Sequence, residues 1–216
     1  MKKIFSTIAL AVLTSSLFAQ TKSDPAATAI LMAVSDKFKT FKSVQASFTY
    51  KVEDAKGKVI STKTGTVLMK GTKYKVNFGG QEIFSDGKTV WSYDKSAKEV
   101  TVSNLDASSG MITPQKLFTN FYDKDFYSIL NGEKKVGART LQEIEMTPTD
   151  KSKAFHKVYV QVDKNAKTIY STRVLENSGN KYSYTVSSMK TNAALADNQF
   201  VFDKAKYPGV EEVDLR

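Results

Sequence analysis

The spacing of apolar positions divides the chain into a helix and two groups of strands. Pro25 stands where a helix opens, Asp24 before it can cap, and Ile30, Leu31, Val34, Phe38 and Phe41 recur at helical intervals, so one amphipathic helix is predicted from about 25 to 42. From Val44 the period becomes two: Phe48, Tyr50 and Val52 alternate with polar residues, and Asp54 to Gly57 reads as a turn. Short β-branched or aromatic runs follow, at Val59 to Met69, Tyr74 to Phe78, Glu82 to Ser85, Thr89 to Tyr93 and Glu99 to Val102. Their turns are expected at Gly71, at Gly79 with Gly80, and at Asp86 with Gly87, the last as a type I′ hairpin. A second group of strands is placed near 140–147, 156–162, 168–176, 180–189 and 199–202, giving about eleven in all. Between the groups, Pro114 and the one-sided set Leu117, Phe118, Phe121 and Tyr122 predict helix within Leu105 to Leu130, laid over one side of a curved sheet. The expected class is mainly β with α. No repeat, low-complexity tract or linker calls for a second domain.

The first residues bear on compartment. Lys2 and Lys3 precede an apolar run from Ile4 to Leu13 and a short stretch ending at Ala19, the layout of a secretory signal peptide cleaved near Ala19. The run of about ten residues is too short to span a bilayer. Removing 19 residues from 216 leaves 197, enough for one core without disulfides in a chain that has no Cys. With no thiol to acylate, the chain is not expected to be a lipoprotein itself.

Charge and side-chain chemistry narrow the function classes. Loss of Lys2 and Lys3 lowers the net charge from +10 to +8, spread thinly as Lys, with Arg139, Arg173 and Arg216 the only arginines. Such a surface suits anionic headgroups or an acidic partner better than a phosphate backbone, and serves equally for solubility. Catalysis would rest wholly on His156, in an alternating strand; there is no Gly-x-Ser-x-Gly elbow, zinc set or calcium loop, and Asp163 to Asn165 reads as a hairpin turn. The carboxylate pairs Asp123 with Asp125 and Glu143 with Glu145 have the spacing of solvated faces. No catalytic residue, metal or cofactor is expected. What stands out is 13 Phe and 10 Tyr, many at alternate strand positions. In a filled sandwich these are core; in a half-open barrel they wall a cavity.

The run from Gly65 through Lys70 and Tyr74 to Val76, followed by Ser85-Asp86-Gly87-Lys88-Thr89-Val90-Trp91-Ser92-Tyr93-Asp94 and, near the C-terminus, by Phe200-Val201-Phe202 and Pro208-Gly209-Val210, resembles the LolA family of periplasmic lipoprotein carriers. The resemblance spans residues 20–216. It implies an incomplete, half-open antiparallel β-barrel of about eleven strands under a helical lid, with acyl chains held inside. It further implies acylated lipoproteins as cargo, taken from an inner-membrane lipoprotein-releasing ABC transporter and passed to an outer-membrane acceptor of the LolB type. The expected lipid-cavity wall is Tyr74, Val76, Phe78, Ile83, Trp91 and Tyr93, faced by Met111, Ile112, Leu117, Phe118 and Phe121 of the lid. The family's lid-latching Arg falls on Lys70, which keeps the charge but not the planar fork, and Gly71 replaces the Pro beside it. A lipid- or lipoprotein-sensing regulatory module of the RseB type, which shares the fold and carries a second domain, is the alternative, and an enzyme of the cell envelope is a third.

Overall fold

The computed structural model describes residues 23–105, 114 and 125–216. The expected signal peptide and the lid residues Met111, Ile112, Leu117, Phe118 and Phe121 lie outside the described residues. The helix α1, Pro25–Lys39, begins as expected: Asp24 accepts from the Ala26 N–H at 2.8 Å, with Pro25 in the first turn. It stops at Lys39 rather than near 42, because the Thr40 N–H and hydroxyl both donate to the Lys37 carbonyl, at 3.1 and 2.7 Å. Ala27, Leu31 and Val34 line its buried face.

Among the described residues twelve strands follow: β1 Val44–Glu53, β2 Val59–Lys70, β3 Lys73–Phe78, β4 Gln81–Ser85, β5 Thr89–Asp94, β6 Glu99–Asn104, β7 Phe126–Val136, β8 Arg139–Pro148, β9 Phe155–Asp163, β10 Thr168–Glu176, β11 Lys181–Thr191 and β12 Glu211–Asp214. They form one sheet in the order β12-β6-β5-β4-β3-β2-β1-β11-β10-β9-β8-β7, open at β12 and β7. All pairings are antiparallel except β12 with β6. This is the mainly β chain with helix that the pattern predicts, and the half-open barrel that the resemblance implies, with twelve strands in place of about eleven.

Opposed residues in a ladder share a face, so the register sorts the side chains. On the inner face, α1 packs Ala27, Leu31 and Val34 onto Ile144, Met146, Val158 and Val160. Burial of each such aliphatic side chain is worth about 1.5–3 kcal/mol. Phe38 and Phe41 extend the contact to Val44, Ala46, Val67, Met69 and Tyr74. Asp24 also ties the helix start to β7, through its N–H to the Ser128 carbonyl at 2.7 Å and its carboxylate accepting from Leu130 at 3.3 Å. The outer face of β3, β4 and β5 is crossed by the chain between β11 and β12, which sets Phe202 and Tyr207 against Phe84, Tyr93 and Val100.

Three expectations change. The stretch from Phe126 is strand, not the end of a helical insertion: Phe126 and Leu130 pack inward beside buried Ser128, and a bulge at Asn131, followed by Gly132 at positive φ, carries the strand on into a polar hairpin. The segment 199–202 is no strand, because Asp197–Phe200 is a 3-10 turn that buries Phe200 completely. The turn after β4 is a longer loop than a type I′ hairpin, with Gly87 at φ +94° and the Asp86 carboxylate accepting from the Lys88 and Thr89 N–H groups.

Candidate lipid-facing surface

On the inner face, β2 and β3 oppose Met69 to Tyr74, Val67 to Val76 and Gly65 to Phe78, while β1 adds Val44, Ala46 and Phe48 in the same rows. Ile83 on β4 stands beside Val76. The result is an apolar stripe that starts under Phe38 and Phe41 and runs away from the helix toward the β1–β2 hairpin. Beyond the helix it broadens into five rings: Phe78 lies 5.6 Å from Phe48 and 5.3 Å from Tyr50, and Tyr50 lies 4.9 Å from Tyr184 and 6.1 Å from Tyr182. This set is only partly buried, and Tyr184 is 43% exposed. Half-exposed aromatics in one contiguous patch have the character of an interaction surface rather than of a packed core, which makes this patch the candidate site.

Burial, then the neighbouring phenols, push Tyr50 and Tyr184 above the usual phenol range. Tyr74 is raised as well by burial, partly offset by its hydrogen bond with Ser85, so its hydroxyl has a partner inside the apolar stripe. Two glycines shape the wall. A Cβ at Gly65 would overlap the Phe48 ring, which lies directly over that backbone. A Cβ at Gly87 would overlap the Thr72 hydroxyl, so the Gly71-Thr72 turn nests on the Asp86-Gly87 loop and joins the two segments on which the family resemblance rests.

Of the expected wall, Tyr74, Val76, Phe78 and Ile83 stand together on the inner face. Trp91 and Tyr93 do not join them: they pair with Phe84 and Glu82, on the opposite side of the sheet, where Tyr93 contacts Phe202 and Tyr207 at 5.8 and 4.6 Å. Lys70 also faces outward. Its ammonium donates to the Leu195 carbonyl at 2.9 Å and to Asp197 at 2.8 Å, and Lys73 reaches the other oxygen of Asp197 at 2.8 Å. The charge expected to latch a lid holds the C-terminal segment. Phe48, Tyr50, Tyr182 and Tyr184 were not among the sequence candidates; their alternation in β1 and β11 was the available signal. His156 is exposed on β9, and among the described residues no group of three or more His, Asp or Glu converges.

Comparisons agree with the geometry. A family model described as outer membrane lipoprotein carrier protein LolA matches residues 39–203. The chain is 29% identical over 186 residues to an outer-membrane lipoprotein carrier protein of Cupriavidus necator, covering 81% of this chain and 85% of that one. It is 28% identical over 170 residues to one of Serratia proteamaculans, covering 76% and 78%. Among solved structures, an uncharacterized conserved protein from Thermus thermophilus shares the fold at a TM-score of 0.61 and 14% identity, over 88% of this chain and 99% of that one. MucB shares it at 0.51 and 17%, over 83% and 64%. Matched across most of its length by the family model, the chain belongs to the LolA family of outer membrane lipoprotein carrier proteins.

Proposed function

We propose that this protein is a periplasmic, single-domain chaperone, residues 20–216, that shelters the acyl chains of lipoproteins against the inner face of its half-open sheet and carries them from the inner to the outer membrane. The observation that carries this reading is the continuous stripe from Tyr74 through Val76 and Phe78 to Phe48, Tyr50 and Tyr184, apolar along its length and half-exposed at its far end. Each acyl methylene left in water costs about 0.8 kcal/mol, so an apolar wall suffices to hold such a cargo. Weak, non-directional contacts also let it go, which a carrier between two membranes requires. An inner-membrane ABC transporter loads it and an acceptor of the LolB type unloads it. No catalytic group is needed.

The test is binding of a fluorescent triacylated lipopeptide by delipidated protein, with Phe78→Asp as the comparison. Saturable binding that weakens at least tenfold in the variant, with the fold retained by circular dichroism, is expected. Absence of binding at micromolar protein would end the carrier reading, and equal binding by the variant would move the site elsewhere.

A further inference from the structure

The sheet forks between β10 and β11. Their ladder runs from Leu175 opposite Lys181 only as far as Ser171 opposite Thr185, yet β10 extends back to Thr168 and β11 onward to Thr191. Beyond the fork each strand stays paired on its other side, β10 with β9 and β11 with β1. A bulge marks the parting on each strand, at Tyr170 and at Ser187. The gap is a cleft of about 410 Å³ beneath Lys37 and Phe41 at the end of α1, with Ile169, Val186 and Met189 toward its inner side and Ser187 and Ser188 exposed on the rim. Alternate residues of Val186–Thr191 direct their N–H and C=O groups into this gap, where among the described residues no ladder pair receives them.

An unpaired edge of roughly 20 Å inside a sheet is a template for one more strand. The charges around it select the strand. The Lys37 ammonium lies 5.7 Å over the Phe41 ring and, like Lys167 at the tip of the β9–β10 hairpin, has no carboxylate partner among the described residues. The one acid in the cleft, Asp163, is already held by Arg139 at 3.6 Å and by the N–H groups of Asn165 and Ala166. Among the described residues the cleft thus offers backbone groups outside any ladder and, in Lys37, a cation without a carboxylate partner, with Lys167 close by, beside the proposed acyl-binding face.

We propose that the β10–β11 fork binds the extended, acidic or polar polypeptide stretch that follows the acylated end of the cargo, as an added strand along β11. This rests on the carrier reading and gives it a second point of attachment, for peptide rather than lipid. It makes loading favour lipoproteins with an unstructured leader behind the lipid. The polar stretch leaves the apolar interior through the fork rather than across it.

The test uses two fluorescent triacylated lipopeptides, one with a ten-residue acidic tail and one with the tail cut to two residues. Since the chain has no Cys, Ser187→Cys carries a bulky maleimide adduct at one site. Tight binding of the tailed probe, about tenfold weaker for the adduct, with the short probe unaffected, is the expected result. Lys37→Glu should weaken the acidic tail and favour a lysine tail of equal length. Hydrogen exchange at 186–191 should slow only with the tailed probe. If both probes bind equally to the unmodified protein, or the adduct weakens both alike, the fork is not a peptide site; the latter outcome would make it a lipid passage. If neither probe binds at all, it is the carrier reading that fails.

Discussion

Gly65 is where one hydrogen atom decides the shape of the proposed lipid-facing wall. The Phe48 ring occupies the space a side chain would need, and Phe48 then positions Phe78 and Tyr184 beside it. Gly65→Ala should cost about 1–3 kcal/mol in urea unfolding, because the ring must leave its place. Combined with Phe48→Ala the cost should shrink, a coupling that a double-mutant cycle reads directly. Asp197 gives a second residue-scale prediction. The hydrogen bonds from Lys70 and then Lys73 hold its carboxyl down to about 2 from the usual 3.8. A depressed carboxylate stabilises the fold above the usual range and loses that contribution as pH falls from about 4 toward 2. Carboxyl NMR titration should place Asp197 near 2, and Lys70→Met should return it toward 3.8. At this scale the sequence was partly legible. Alternation identified Tyr74, Val76, Phe78 and Ile83, but parity within one strand does not say which face of the sheet a neighbouring strand's residues share. That depends on the loop between them. The turn after Ser85 sets β5 so that Val90, not Trp91, faces inward, and Trp91 and Tyr93 therefore went to the wrong wall.

The elements divide the work between the two faces. The segment after β11 crosses the outer face and is fastened at three places: Asn192 on Ser43, Asp197 on Lys70 and Lys73, and Tyr207 on Glu82. Glu82 is buried and accepts from the Tyr207 hydroxyl at 2.9 Å while Lys75 and Lys95 approach at 3.2 and 3.0 Å. Burial alone would raise its carboxyl, but the hydrogen bonds from Lys95, Tyr207 and Lys75 win and lower it. Tyr207→Phe should therefore destabilise by about 2 kcal/mol in urea unfolding, with the apolar contact to Phe202 retained. A loss near zero would mean that the lysines satisfy Glu82 unaided. Helix α1 and ten of the strands were readable from period and turn residues. β7 and β12 were not, for a common reason: both are edge strands, and the polar residues that protect such edges, Asn131 to Lys135 and Glu211 with Glu212, erase the alternation by which a strand is recognised.

At the scale of the whole molecule the sheet leaves both its edges open, and its inner face is only partly filled by α1. A closed barrel fixes its interior through strand number and shear, and on the proposed carrier role the open sheet leaves that volume unfixed for chains of differing number and length. The family match gives the class of molecule, while the fork between β10 and β11 had no counterpart in the pattern. Both strands read as ordinary alternation there, and a ladder that stops early is a property of pairing, not of either sequence alone. The C-terminal strap adds a final consequence. Because Phe202 and Tyr207 pack on the outer side of β4 and β5 with contacts independent of α1, that side is held by the strap and not by the helix. On the proposed carrier role, contents are exchanged at the front while the back stays bolted, much as a drawer empties without its cabinet being dismantled.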